Sequence, residues 1–236
     1  MSPLTQEIFK AYAHAENPKE ACGFILGIDG REEFFPVPNS HSDPERFFTI
    51  RPEHWVAATA KGKLLSIVHS HTKGDARSST ADKVMCESSR LPWHIYSTLY
   101  DQWSYLQPSG FKPPLLEREF IFGVLDCYTL IRDYFAERHQ ITIKDYYRDD
   151  PEFYKKGINP YEDNFRAEGF VEVRDGLKVS DCFLIQIRSD LPNHAAIWVG
   201  NDLILHHLSG RLSNMQPYGG SYLKNTYKTL RHKSLV

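Results

Sequence analysis

Apolar residues in the first half of the chain occur alternately in short runs and in helical spacing. The run from Leu64 to Val68 contains β-branched residues, which predicts a buried strand over 64–71. Amphipathic spacing predicts helices over 2–12, 52–61 and 79–90. Further strands are expected near 20–28, 31–37, 46–50, 93–98 and 103–106. This order of elements is typical of an α/β layer domain.

The second half follows a different pattern. After Asp126-Cys127, four apolar or aromatic residues fall on one helical face: Leu130, Ile131, Tyr134 and Phe135. Residues 145–163 mix acids, tyrosines and prolines without a period, which predicts loop with short helix. Runs over 193–200 and 202–206 form a hairpin joined at Gly200-Asn201, and four or five antiparallel strands are expected. This half is therefore expected to be an α+β domain.

A stretch rich in Pro, Gly and Ser runs from Leu106 to Pro114 and interrupts both patterns. It predicts a first domain over 1–106, a linker over 107–114 and a second domain over 115–236.

Composition narrows the class of protein. The 236 residues are 41% hydrophobic and 25% charged, an ordinary balance for a globular protein. A net charge of −2 gives no electrostatic reason to bind nucleic acid or an acidic membrane, and no apolar run is long enough for a membrane span. Residues 2–12 read as a helix and not as a secretory signal, and the four scattered cysteines show no disulfide framework. Synthesis in a reducing cytoplasm is expected.

The sequence His69-Ser70-His71, followed by Ser79 and Asp82, has the spacing of a metal site. With 11 histidines, a random chain of this composition holds about half of one His-x-His, but the downstream Ser and Asp make the full pattern rare. Both histidines point to one side of a strand, and Ser79 or Thr80 caps a helix that carries Asp82. Two imidazoles and a carboxylate suit zinc. The alternative is two surface histidines before a capped helix.

These residues resemble the motif of the JAMM (MPN) zinc metallopeptidases, which adds a distant Glu, here Glu20. The resemblance implies that one zinc ion per chain is held by His69, His71 and Asp82. It implies that Glu20 is the general base and that Ser79 stabilises the oxyanion. Many members have prolines where this chain has Thr72 and Ser78, a departure that concerns the shape of the loop.

Cys127 is placed at the start of a helix, where the helix dipole favours a thiolate. A small buried hydrophobic residue is the alternative interpretation of a lone cysteine. Downstream, His194 and His206 begin and end the two hairpin strands, so pairing of the strands could bring them together.

This order resembles the NlpC-type cysteine peptidases, papain-like enzymes that cleave the stem peptides of bacterial peptidoglycan. The resemblance implies Cys127 as nucleophile, His194 as base and His206 as the group that orients His194, with His207 the poorer candidate. Ser180-Asp181 replaces the family's Gly-Asp, and Tyr128 replaces its Ser. The tyrosines of the middle segment leave two alternatives open, a cell-wall-binding surface or a satellite core: Tyr146, Tyr147, Tyr154 and Tyr161.

The fusion of both domains in one chain, with the junction Leu116 to Leu130, resembles the tail assembly proteins of lambda-like tailed phages. It implies peptidase activity during tail-tip assembly, with other tail-tip proteins and peptidoglycan peptides as partners. The zinc site would process a tail protein. The expected locations are the host cytoplasm during assembly and the virion tail tip. The alternative is a catalytically idle structural or chaperone component.

Overall fold

Helix α1 (Pro3–Glu16) opens the first unit of the computed structural model, which describes residues 1–148 and 150–236. This unit extends over Met1–Lys112. Its remaining elements are β1 (Cys22–Ile28), β2 (Arg31–Val37), α2 (Pro52–Lys61), β3 (Lys63–His71), α3 (Thr80–Ser89), β4 (Trp93–Ser97) and β5 (Gln102–Leu106). The five strands form one sheet in the order β2-β1-β3-β4-β5, in which only β3 and β4 run parallel. An α-helix lies between these two strands in the chain, as a parallel connection requires.

The prediction of a strand near 46–50 was wrong, since these residues belong to an irregular loop. The side chain of Asn39 forms the hydrogen bonds that a neighbouring strand would have formed. Its amide donates to the carbonyl of Phe47, and its oxygen accepts from the backbone N–H of Thr49. A side chain that bonds nearby backbone in this way competes with sheet pairing.

The second unit extends over Pro113–Val236. Its helices are α4 (Cys127–His139), α5 (Pro160–Asn164) and α6 (Gly220–Lys224), with short 3-10 turns at Phe153–Lys156 and Lys233–Leu235. Its strands are β6 (Phe170–Glu172), β7 (Cys182–Ile185), β8 (His194–Gly200), β9 (Leu203–His206), β10 (Asn214–Pro217) and β11 (Thr226–His232). They form an antiparallel sheet in the order β10-β9-β8-β7-β11-β6.

The sheet of the second unit has six strands, where the sequence predicted four or five. The extra strands are short: β6 has three residues and β10 has four, too few for a clear alternating pattern. The apolar face of α4 packs on β7 and β8, where Phe135 contacts a core that includes Leu184 and Ile197. Burial of each such side chain contributes about 1.5–3 kcal/mol. The predicted fold class, an α/β domain followed by an α+β domain with a central antiparallel sheet, is confirmed.

Across the described residues, none of the helices combines the length and apolar character that a bilayer span needs.

Candidate metal and cysteine sites

Three donor atoms converge at the end of β3. His69 and His71 are two residues apart on this strand, so their rings lie on the same side of the sheet. Their Nε2 atoms are 3.2 Å apart. The Asp82 carboxylate lies 3.3 Å from Nε2 of His69 and 3.4 Å from Nε2 of His71. The cluster is mostly buried, since His69 is fully buried and Asp82 is 7% exposed.

The spacing of these atoms fits a zinc ion. For zinc–ligand bonds of about 2.0–2.1 Å, a tetrahedral arrangement separates two ligands by about 3.3–3.4 Å. The Nε2–Nε2 separation of 3.2 Å and the 3.3 Å separation between Nε2 of His69 and Oδ1 of Asp82 match two edges of such a tetrahedron. The 3.4 Å contact of His71 is with the other carboxylate oxygen, Oδ2. Two imidazoles and one carboxylate are also a donor set that zinc accepts, with the fourth position left for water.

The carboxylate of Asp82 is oriented by a capping box at the start of α3. Its Oδ2 accepts hydrogen bonds from the backbone N–H of Ser79 at 2.7 Å and from the Ser79 hydroxyl at 2.8 Å. The backbone N–H of Asp82 in turn donates to the Ser79 hydroxyl at 3.0 Å. Ser79 therefore holds one carboxylate oxygen, and Oδ1 faces His69.

Glu20 precedes β1 and lies beside the histidines. Strand β1 pairs with β3, and the neighbouring Ala21 bonds to Ser70, between the two histidines, through both its N–H and its carbonyl. The Glu20 side chain is 7% exposed, and burial raises its carboxyl pKa to about 8, against a lowering effect of His71. The structure thus brings Glu20 to the cluster of His69, His71 and Asp82.

Several supporting contacts had no signal in the sequence. The ring of His71 bonds through Nδ1 to the backbone carbonyl of Asp75 at 2.8 Å. The ring of Phe48 stacks on His69 with centroids 4.6 Å apart, and Trp93 meets His69 edge-on at 5.4 Å. A carbonyl acceptor and two aromatic neighbours from separate segments leave no local spacing pattern, so only the fold reveals them.

The histidines of this cluster differ in their electrostatics. Burial lowers the pKa of His69, more than the Asp82 carboxylate raises it. For His71 the effect of burial is overcome by hydrogen bonds to Asp82 and to the Asp75 carbonyl, so its pKa rises to about 9. Burial alone would raise the pKa of Asp82, but its contacts with His69 and His71 hold this pKa well below its usual range. The cluster therefore retains a carboxylate, the charge that a cation requires.

In the second unit, Cys127 is the first residue of α4. Asp126 caps this helix by accepting from the backbone N–H of Thr129 at 2.9 Å, and its other oxygen accepts from Gly123 N–H and from Arg148 Nε. Gly123 has a φ of +79°, and a Cβ there would lie 2.4 Å from the Arg148 carbonyl oxygen, so only glycine fits. These bonds fix the loop that presents the thiol.

The Cys127 thiol is buried against two groups. Its Sγ lies 3.1 Å from the hydroxyl of Tyr161, and the backbone of Ala195 hydrogen-bonds to it. Burial and the neighbouring Asp126 raise its pKa to about 11, against those two hydrogen bonds. Ala195 follows His194 in β8, so the structure brings Cys127 next to the strand that carries His194.

His194 and His206 form a contact across the hairpin. Nε2 of His194 lies 3.1 Å from Nδ1 of His206. His194 is 3% exposed, and burial together with the neighbouring imidazoles lowers its pKa to about 3. Burial also lowers the pKa of His206, against hydrogen bonds to Gln216 and Asn214. His194 is therefore a neutral imidazole at neutral pH.

The other residues of the second motif lie close by in structural roles. His207 is fully buried and meets the ring of Phe120 edge-on at 5.1 Å. Asp181 accepts two hydrogen bonds from the guanidinium of Arg231, at 2.7 and 2.8 Å. Ser180 has a φ of +80°, the left-handed conformation that a glycine would adopt without strain.

Comparison with solved structures gives matches that cover about half of the chain. A solution structure from Desulfitobacterium hafniense matches with 22% identity and a TM-score of 0.38, covering 46% of this chain and 89% of its own. A JAB1/MPN domain protein from Archaeoglobus fulgidus matches with 19% identity and a TM-score of 0.31, covering 44% of this chain and 83% of its own.

Two families together cover most of the chain. Residues 3–106 match prokaryotic homologs of the JAB domain. Residues 117–232 match the NlpC/P60 family. Both are families of peptidase type.

Two phage proteins match both units together. The tail tip assembly protein K of Escherichia phage N15 is 36% identical over 240 residues, which cover 100% of this chain and 97% of that protein. Its counterpart from Escherichia phage lambda is 34% identical over 186 residues, which cover 78% of this chain and 90% of that protein. At this identity and coverage, the chain belongs to the tail tip assembly protein K family.

Proposed function

We propose that this protein acts in phage tail-tip assembly and carries two peptidase sites, one in each unit. The names of the two phage relatives support the assembly role and partners among other tail-tip proteins. The NlpC/P60 match supports an endopeptidase that acts on peptidoglycan stem peptides. The proposed locations are the host cytoplasm during assembly and the virion tail tip.

The observation that carries the cysteine peptidase proposal is that Cys127 contacts β8, the strand that begins with His194. The backbone of Ala195 forms a hydrogen bond with the Cys127 thiol. In the adjacent residue, Nε2 of His194 lies 3.1 Å from Nδ1 of His206. In the proposed reaction, neutral His194 takes the thiol proton and the sulfur attacks the peptide carbonyl carbon. The departing amine receives that proton, and water then hydrolyses the thioester to release the acid and restore the thiol.

The contact with His206 sets the tautomer of His194. If Nδ1 of His194 accepts the thiol proton, its Nε2 must carry a hydrogen and donate it to Nδ1 of His206. Nδ1 of His206 must then be unprotonated, which agrees with the lowered pKa of that residue. His206 thus has the orienting role that the third member of a catalytic triad performs.

For the first unit we propose that His69, His71 and Asp82 hold one zinc ion, supported by the convergence of two imidazole nitrogens and a carboxylate within 3.2–3.4 Å of one another. When bound, zinc would polarise water and lower its pKa towards neutrality. Glu20, buried beside the cluster, would accept and return the proton. Ser79 would stabilise the oxyanion, and the substrate would be another tail protein.

One contact favours a structural alternative for the first unit. The Ser79 hydroxyl already donates to Asp82 at 2.8 Å, so an oxyanion would have to displace this bond. In the alternative, the first unit binds metal but is a catalytically idle building block or chaperone component of the tail tip.

We also propose that the functional domains extend over 1–106 and 115–236, with a linker over 107–114. The backbone N–H groups of Ser109 and Phe111 donate to the Glu87 carboxylate of α3, which supports a linker whose beginning is held by the first unit.

Digestion of purified peptidoglycan, with mass spectrometry of the released fragments, tests the main proposal. The wild-type protein should release stem-peptide fragments with and without a zinc chelator, and Cys127→Ala should release none. Cys182→Ala is the matched control, because it removes another buried thiol of the same unit and should keep activity. Release that survives in Cys127→Ala but stops with the chelator would assign cell-wall cleavage to the first unit.

A further inference from the structure

The hydroxyl of Tyr161 lies 3.1 Å from the sulfur of Cys127, although neither sequence motif includes a tyrosine at this position. Tyr161 belongs to α5, inside the segment whose composition predicted only loop with short helix. Its place in the chain, 34 residues after Cys127, gives no local signal of the contact. Of the four cysteines, only Cys127 has a tyrosine hydroxyl within hydrogen-bonding distance of its sulfur in the described part of the chain.

Helix α5 holds Tyr161 in place through contacts on three sides. The Asn159 side chain caps the helix by accepting from the backbone N–H of Glu162. The Glu162 carboxylate forms an ion pair with Lys228 of β11. Phe165, one turn further on, is 6% exposed and packs in the core of the unit. Because these anchors do not involve the tyrosine hydroxyl, its position is fixed by the fold and not by its bond to the thiol.

The chemistry of the two groups determines which of them donates. While the thiol is protonated, either the thiol or the phenol can be the donor. Once the sulfur is a thiolate it can only accept, so the phenol must donate. Burial raises the pKa of Tyr161 well above its usual value, and the nearby Cys127 adds to this shift. The phenol therefore keeps its proton and cannot serve as a base in place of His194.

We propose that Tyr161 is a catalytic residue of the cysteine site, whose hydroxyl donates a hydrogen bond to the Cys127 sulfur and stabilises the thiolate. The inference rests on the proposed role of Cys127 as nucleophile. When the thiol proton moves to His194, the S–H bond breaks, an N–H bond forms, and the negative charge stays on sulfur within reach of the phenol. A hydrogen bond to a charged acceptor is stronger than one to a neutral acceptor, so Tyr161 favours the reactive form.

Tyr161→Phe tests this inference because it removes only the hydroxyl. The ring lines an apolar cavity of about 50 Å³ with residues such as Phe165 and Leu184, contacts that phenylalanine preserves. Alkylation of Cys127 by iodoacetamide should slow by about ten- to hundred-fold at neutral pH, the effect of one charge-assisted hydrogen bond. The pH at which Cys127 becomes half-reactive should also rise. Both are measured by mass spectrometry of the Cys127 peptide across a pH series.

Tyr146→Phe is the matched control. It removes a tyrosine hydroxyl from the same segment, one that donates to Glu168 and not to Cys127. Its alkylation rate should equal that of the wild type, whereas equal slowing in both variants would show that loosening of the segment is the cause and would overturn the inference. Faster alkylation in Tyr161→Phe would show that the hydroxyl shields the sulfur, and would overturn it also.

Fragment release from peptidoglycan separates this inference from the proposed function. If the wild type releases no fragments but Tyr161→Phe slows alkylation, the thiolate contact stands and the peptidase proposal fails. If the wild type releases fragments and Tyr161→Phe matches it in both assays, the peptidase proposal stands and the role of Tyr161 fails.

Discussion

The two units bury histidines in opposite electrostatic surroundings. In the first unit, His71 contacts the Asp82 carboxylate, and this contact with others outweighs burial and raises its pKa to about 9. In the second unit, His194 contacts another imidazole, and burial lowers its pKa to about 3. The same side chain, half-buried at His71 and buried at His194, therefore favours the charged form in the first site and the neutral form in the second.

This difference connects each arrangement to a different chemistry. Donor atoms that converge around a retained carboxylate form a site for a cation. Two neutral imidazoles in contact form instead a route for a proton, because one nitrogen can accept while its neighbour fixes the tautomer. The number of histidines does not separate the two functions, but the group that each histidine faces does.

The largest expected effect concerns metal. The purified wild-type protein should hold about one zinc per chain, and His69→Ala/His71→Ala should hold almost none, because one imidazole pair and one carboxylate form the proposed site. Elemental analysis after dialysis measures the content. His194→Ala/His206→Ala is the matched control, since it removes a histidine pair from the second unit and should retain zinc. Retention of zinc in the first double variant would break the distinction between the sites.

Acid should destabilise the second unit by several kcal/mol. His194 has a folded-state pKa of about 3, below the unfolded value of about 6.5, so the unfolded chain binds the proton first. The corresponding stability is present above about pH 6.5 and is lost as the pH falls towards 3. Burial also lowers the pKa of His206, His207 and His232, which adds to the loss. Amide hydrogen exchange at pH 7, 5 and 4 should show falling protection in this unit, with a weaker trend in His194→Gln.

The sequence predicted more of the metal site than of the cysteine site from local spacing alone. The spacing of His69 and His71 on one strand is local, so their shared direction follows from the pleat of a β-strand. The roles of Cys127 and His194 were predicted from a family resemblance, because they lie on separate elements. The contact of Tyr161 with Cys127 was missed, since it depends on how a segment without periodicity folds over α4. The loop near 46–50 was wrongly predicted to be a strand, because the side chain of Asn39 forms the backbone hydrogen bonds that a neighbouring strand would have formed.

A smaller effect is expected at His206, whose proposed role is to orient the base. His206→Ala should lower fragment release by up to about ten-thousand-fold and still leave measurable activity, because loss of the orienting group of a triad costs less than loss of the nucleophile or base. His206→Asn or His206→Gln should recover part of the loss, because an amide oxygen can accept from Nε2 of His194. His207→Ala is the neighbouring control and should affect mainly packing against Phe120. Inactivation by His207→Ala with a silent His206→Ala would exchange the two roles.

The smallest effect concerns Ser180, two residues before the strand that pairs with the His194 strand. Its φ of +80° costs a non-glycine residue about 1–2 kcal/mol. Its hydroxyl lies 3.0 Å from the Tyr134 hydroxyl and 2.7 Å from Nε2 of His139, bonds that offset this strain. Ser180→Ala keeps the strain and loses both bonds, whereas Ser180→Gly loses the bonds and the strain. Urea unfolding should therefore find the alanine variant less stable than the glycine variant by about 1 kcal/mol. Equal stability of the two variants would show that the strain at this position does not exceed the conformational entropy that glycine loses on folding.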